Sequence, residues 1–188
     1  ELGMTNAHYN DISQYRDVES LNYYKILLDQ GKTKEQALKV LAARSRDNSR
    51  TPMQWSDDKN AGFTEGTPWI EAPENYKEIN AETELKDPDS IYSFYKKLIA
   101  LRKEKDIIAE GTIEFLEKEN ADVLAYRRNY QGEELIVLNN LTAENVTIRQ
   151  QPEWKAYQKR LGNYEKITAE DGKITLRPFE TIVLDSAL

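Results

Sequence analysis

The chain contains no cysteine, which excludes disulfides and thiolate chemistry and suits a reducing cytoplasm. It has no apolar stretch near the roughly 20 residues needed to span a bilayer, and its first residues lack the charged-then-apolar pattern of a secretory signal. No membrane is expected as a partner. Positive charge is also in short supply: 26 Lys and Arg stand against 33 Asp and Glu, a formal charge of −7. No basic run is dense enough to neutralise a line of phosphates, so nucleic acid is not an expected partner either. The single histidine, His8, reads as a polar loop residue or as part of the rim of a site. No cofactor and no metal ion are called for.

Aromatic residues are plentiful: three Trp, eleven Tyr and four Phe in 188 residues, where a disordered segment would have few. A packed core is therefore expected, in one domain or in a small domain plus part of another. The chain opens on Glu1-Leu2-Gly3 without an initiator Met and reads as a piece of something longer. Two sequons, at Asn140 and Asn145, would matter only in a secretory pathway and read as chance matches.

Helical spacing comes first along the chain. Val18, Leu21, Tyr24 and Leu28 recur every three or four residues up to Gly31, which predicts a helix that stops there. Thr33 and Gln36 have capping-box form ahead of Ala37, Leu38, Val40 and Leu41, so a second helix follows at once. From Ser45 to about Asp89 periodicity vanishes among six prolines and glycines, which predicts a long ordered loop of the kind that is usually functional. Asp87-Pro88-Asp89-Ser90 then opens a third helix, with Ile91, Phe94, Tyr95, Leu98, Ile99 and Arg102 on one face that needs an apolar partner.

After Gly111 the pattern becomes short and β-rich: residues 112–116, 123–130, 134–141, 146–149, 157–161, 174–176 and 181–184, with Asp171-Gly172 in hairpin form. Short strands at this spacing predict an antiparallel β-sandwich. The domain boundary is placed near residue 108, giving 1–108 and 109–188.

One stretch is more specific than the rest. Ser45-Arg46-Asp47-Asn48-Ser49-Arg50-Thr51-Pro52-Met53-Gln54-Trp55 is followed by Asn60-Ala61-Gly62-Phe63-Thr64 and Gly66-Thr67-Pro68-Trp69-Ile70. Arg46 and Arg50 sit in a loop stiffened by Pro52, with Met53 and Trp55 as expected anchors. A guanidinium offers a rigid fork of donors that fits a carboxylate, a phosphate or vicinal hydroxyls. Arginines that only salt-bridge the loop are the commoner case, and the residues alone leave both roles open.

The stretch resembles the RDxxRTPMQW segment after the eighth barrel strand in α-glucosidases of the α-amylase-type glycoside hydrolase family. Glu1 to Met4 resembles the end of that strand, Tyr15 to Ser20 the entry to the next helix, and Pro73 to Asn80 also fits, so the resemblance covers essentially the whole chain. It implies an α+β piece: the last part of a (β/α)8 TIM barrel, with its active site at the strands' C-terminal face, followed by an antiparallel β-sandwich. It implies that Arg50 reaches the sugar, that Arg46 and Asp47 are weaker substrate-binding candidates that order the loop, and that the catalytic carboxylates lie upstream of Glu1. No catalytic residue is therefore assigned here. The expected ligand is an α-glucoside or a sugar phosphate, and the expected partner is the upstream barrel segment of the same protein. Met4-Thr5-Asn6, the string Arg44 to Arg50, and Ala125 to Arg128 tilt the resemblance toward members that hydrolyse trehalose 6-phosphate, over those that act on isomaltooligosaccharides or dextran. A non-catalytic carbohydrate-binding or structural module is the alternative, and it would expose a row of Trp or Tyr on one sheet face.

Overall fold

The computed structural model describes residues 1–186. The chain divides into two compact units, Glu1–Tyr95 and Lys96 onward.

The first unit is built on α1 (Val18–Asp29) and α2 (Lys34–Arg44). Asp17 caps α1 by accepting the N–H of Ser20. The predicted box at Thr33 and Gln36 is present, with both reciprocal hydrogen bonds made. Tyr24 and Leu27 from α1 meet Ala37 and Leu41 from α2 in one cluster, joined by Ala7, Tyr9, Tyr15 and Ile70 from the segments around them. Tyr9 and Tyr15 pack edge to face, 5.3 Å between ring centres, an arrangement favoured by the ring quadrupoles.

The long connection after α2 is ordered, but not free of regular structure as the sequence suggested. It holds 3-10 turns at Arg46–Ser49, Lys59–Gly62 and Glu74–Lys77 and a short helix, α3 (Ala81–Lys86). Helix α3 was invisible to periodicity because none of its six residues is buried. It is set by its ends instead: Asn80 Oδ1 caps the N–H of Thr83, and the carbonyls of Gln54 and Trp55 accept from Ala81 and Glu82.

Helix α4 (Ile91–Glu104) follows, and the division between the units falls within it. The stripe assigned to the core, Ile91, Tyr95, Leu98 and Ile99, is exposed, and the buried residue is Leu101. Leu101 lies one position off the stripe and packs with Ile107, Leu135 and Val183. After a short α5 (Ile107–Glu110), a Cβ on Gly111 would sit 2.4 Å from the Ile107 carbonyl oxygen, so only glycine lets the chain turn there into the first strand.

The remainder is antiparallel. Strands β1 (Thr112–Leu116), β2 (Val123–Tyr130), β3 (Glu133–Asn140), β8 (Thr181–Asp185) and β5 (Gln158–Gly162) form one sheet in that order. A second sheet runs β4 (Val146–Arg149), β7 (Lys173–Leu176), β6 (Thr168–Glu170). The three-residue β6 escaped the sequence reading because all its residues are exposed. Period-two alternation explains the layering. Ile136, Leu138, Ile182 and Leu184 face Ile148, Ile174 and Leu176 of the other sheet, with Trp154 in the same cluster. Leu135 and Val183, one residue out of phase, point the other way to Leu101 and Ile107. This is a sandwich whose larger sheet is covered on both faces. The sequon at Asn140 is buried, and its amide nitrogen donates to the Arg177 and Glu144 carbonyls, among others.

Two outcomes are expected from this packing. Ile136→Ala should lower the unfolding free energy by about 2 to 5 kcal/mol, read from urea midpoints; a loss below 1 kcal/mol would mean that the sheet interface is loosely packed. Tyr157 donates to Glu134 Oε1 at 2.9 Å, and burial together with that carboxylate pushes its phenol up to about 12. A raised folded-state pKa stabilises fully below the unfolded value near 10 and is lost as pH rises toward 12. The stability advantage of the native chain over Tyr157→Phe should therefore hold to pH 10 and shrink between pH 10 and 12.

Candidate functional site

The arginine loop begins where α2 ends. Ser45 closes that helix by donating its N–H to Leu41, and its hydroxyl caps the following 3-10 turn by accepting the N–H of Asp47 at 3.1 Å. The turn therefore starts without slack, and it drives Asp47 inward until it is wholly buried.

A buried carboxylate has to be matched by donors. Asp47 Oδ2 accepts the backbone N–H groups of Arg16 at 2.7 Å and Asp17 at 2.9 Å, and Oδ1 lies 3.6 Å from Arg50 Nη1. Asp17, also buried, accepts Arg50 Nη1 at Oδ1 (3.3 Å) and the Ser20 N–H at Oδ2 (3.0 Å). Ser20 Oγ lies 3.0 Å from Asp17 Oδ2 and 2.9 Å from Ser45 Oγ. Burial by itself raises the Asp17 pKa, but the hydrogen bonds from Ser20 and Arg50 outweigh it and hold the carboxyl below its usual range. Asn48 ties the turn on two further sides, accepting from Ala7 N–H at 3.1 Å and donating to the Ala42 carbonyl at 2.9 Å.

The two arginines end in different situations. Arg50 is held by two carboxylates at one nitrogen, with its side chain 39% exposed. Arg46 is 67% exposed and among the described residues its side chain meets only Glu19, itself exposed, at 3.2 Å. Beyond Arg50, Pro52 is buried as a stiffener should be, but the expected anchor Trp55 is 53% exposed. The buried side chain is Gln54, which donates to the Ile79 carbonyl. The apolar ring invited the wrong assignment; the amide is inside because a backbone carbonyl there needs a donor.

His8 is exposed and lines an open cleft of about 840 Å³ between the 6–10 segment and α2, with Asn6, Tyr9, Lys34 and Lys39. Tyr9 donates to the Glu71 carbonyl at 2.6 Å; burial, then Glu71 and Asp47, push its phenol up to about 12. Among the described residues no group of three His, Asp or Glu is placed to hold a metal ion, and no helix is long and apolar enough to cross a membrane.

Residues 1–111, more than half the chain, match the family model described as alpha amylase, catalytic domain. The chain belongs to the alpha-amylase family. Residues 123–183 match the alpha-amylase SusG C-terminal domain, so the sandwich is the alpha-amylase family's C-terminal domain and the arginine loop lies in the catalytic one. Over 97% of its length the chain is 47% identical to trehalose-6-phosphate hydrolase of Bacillus subtilis (strain 168) and 44% identical to that of Escherichia coli (strain K12). Oligo-1,6-glucosidase of Bacillus cereus is 42% identical over the same share. The structure superposes on that of Bacillus licheniformis trehalose-6-phosphate hydrolase with a TM-score of 0.91 at 45% identity, covering 98% of this chain and 34% of the other. It superposes on trehalulose synthase of Pseudomonas mesoacidophila with 0.85 at 34% identity, with the same coverage. The chain spans about a third of the length of the relatives it matches.

The geometry ranks the loop's residues by cost. Asp47→Ala strands two backbone donors and removes the buried partner of a half-buried ion pair, and should destabilise the chain by about 2 to 4 kcal/mol. Arg46→Ala removes only an exposed pair and should leave the urea midpoint unchanged. Equal midpoints for the two variants would mean that Asp47 does not organise the loop.

Proposed function

We propose that this chain is the C-terminal third of a retaining α-glucosidase that hydrolyses trehalose 6-phosphate to glucose and glucose 6-phosphate in the cytoplasm. The observation that carries the reading is similarity along almost the whole chain, in sequence and in fold, to trehalose-6-phosphate hydrolases. Oligo-1,6-glucosidases stand only a few per cent lower in identity, so an isomaltooligosaccharide substrate is the neighbouring reading. The domain boundary belongs near residue 108, between α4 and β1; the end of the catalytic-domain match at residue 111 supports it.

The catalytic pair comes from the upstream barrel segment. Retaining hydrolysis needs a nucleophilic carboxylate and an acid/base carboxyl about 5 Å apart, and the exposed apolar stripe Ile91, Tyr95, Leu98 and Ile99 on α4 supports a barrel segment as its cover. The sandwich supports an accessory role over a carbohydrate-binding module: Trp154 is buried, and Tyr157 is turned to Glu134 instead of standing in an exposed row.

Arg50 contacts the substrate. Its guanidinium is fixed at Nη1 yet partly open, which is how a fork is pre-aimed at sugar hydroxyls. Asp47 orders the loop around it, and Arg46 lies at the loop's exposed side against Glu19. A specific observation favours a second reading: Arg50 is already engaged by two carboxylates, whereas among the described residues the Arg46 side chain meets only exposed Glu19, which would make Arg46 the substrate contact and Arg50 the scaffold.

In the full-length protein, Arg50→Ala should lower kcat/KM by roughly tenfold to a hundredfold, the worth of a charged hydrogen bond of about 1.5 to 3 kcal/mol. Arg50→Lys keeps the charge but not the fork and should be nearly as damaging. Full specific activity in folded Arg50→Ala, with a large loss in Arg46→Ala, would transfer the role to Arg46. The isolated chain should show no hydrolysis of nitrophenyl α-glucoside above background; activity from rigorously purified chain would mean that it carries its own acid/base pair.

A further inference from the structure

The outer faces of the two sheets carry different residues. On the smaller sheet Thr147 stands opposite Thr175 and Arg149 opposite Lys173, while their neighbours Ile148, Ile174 and Leu176 turn inward. A sheet face that stays in water carries polar residues of this kind. The larger sheet departs from that pattern. Its face away from the sandwich core has Leu135 and Val183 at the centre, packed with Leu101 and Ile107, and Val137 against the same cluster. Toward the free edge the face continues with Leu124 on β2 and with Ile113 and Phe115 on the edge strand β1, and these three are 41%, 51% and 51% exposed.

The register makes this one continuous face. Phe115 stands opposite Tyr126 and Tyr126 opposite Val137, and the rings of Phe115 and Tyr126 meet edge on, 6.4 Å between centres. Ile113 stands opposite Arg128 and Arg128 opposite Leu135. Arg128 donates to the Ile107 and Gly111 carbonyls at 2.9 and 2.7 Å, so the polar residue in these rows is itself bound to the segment that covers the centre.

What covers the centre points to what covers the edge. Leu101 and Ile107 lie within residues 1–111, which match the catalytic-domain model, whereas residues 123–183 match the C-terminal domain. Residues of the catalytic match therefore already pack on this face, and the chain spans about a third of the length of its relatives. Leu98 and Ile99, just ahead of Leu101 on α4, are exposed in the same way as the edge residues. A bare apolar continuation of a packed face, ending on a free strand edge, is suited to burial by more of the domain that covers its centre.

We propose that Ile113, Phe115 and Leu124 form a docking surface for the catalytic-barrel segment upstream of Glu1. The inference rests on the reading of the chain as the C-terminal third of a barrel enzyme and is independent of the substrate.

Photocrosslinking in the full-length protein tests it, with a benzoyl group carried on the phenylalanine at position 115. Irradiation should join position 115 to peptides from upstream of Glu1 within a single copy, as read by mass spectrometry. The same probe in place of Leu124 should reach that segment too, so the result does not hang on one position. In place of Thr147, on the polar outer face of the smaller sheet, it should give no such product. Products that join two copies, products confined to residues 1–188, or no product at positions 115 and 124 would each overturn the proposal. Assaying the same preparation on α-glucosides keeps the two readings apart. Hydrolysis without upstream products sinks the docking surface alone, and upstream products without hydrolysis of any α-glucoside sink the glucosidase reading alone.

Discussion

The first unit depends on a carboxylate with no access to water. Asp47 is wholly buried; its Oδ2 is matched by two backbone N–H groups ahead of α1, its Oδ1 faces the Arg50 guanidinium at 3.6 Å, and its 3-10 turn is capped by Ser45. A charge in that position is costly unless matched on several sides. Its demands therefore fix the start of α1, the end of α2 and the arginine loop that follows it relative to each other. The arginine that faces outward inherits that rigidity. Buried electrostatics here does for the loop what regular hydrogen bonding does elsewhere.

The second unit rests on a different constraint, the two-residue period of its strands. Ile136 and Leu138 go to the partner sheet while Leu135 goes to Leu101, so a single strand feeds two apolar layers. That periodicity is written directly in the residues, and strands such as 112–116, 123–130 and 146–149 were legible to the residue. Of the elements without a buried residue, β1 was read from its alternating Ile113 and Phe115, but two others were not. Helix α3 and strand β6 have no buried side chain, so no hydrophobic pattern marks them, and they exist through capping and through pairing with a neighbour. The α4 stripe was misread for a related reason. Spacing identifies an apolar face but not what covers it, and Leu101, just off the stripe, is the residue this chain buries.

The arginine loop was legible as one motif. Arg50, Arg46 and Asp47 fall within eleven consecutive residues, and the structure gathers Arg50 and Asp47 but sends Arg46 outward to Glu19. Asp17 and Gln54 were not found. Asp17 reads as an ordinary helix cap, since only the fold brings it to Arg50. Gln54 is hidden between Met53 and Trp55, whose apolar side chains look like the natural anchors. The capping signature at Asp17 could have prompted the question of why the cap is charged.

The chain belongs to the alpha-amylase family and is similar to trehalose-6-phosphate hydrolases over almost its whole length, and two buried carboxylates hold Arg50 within its catalytic-domain match. The most direct measurement is substrate choice by the full-length protein: kcat/KM on trehalose 6-phosphate, isomaltose and isomaltotriose under one set of conditions, with the sugar products identified. The prediction is cleavage of trehalose 6-phosphate to glucose and glucose 6-phosphate, at a kcat/KM above that for either isomaltooligosaccharide. Efficient cleavage of isomaltose with trehalose 6-phosphate left intact would contradict it.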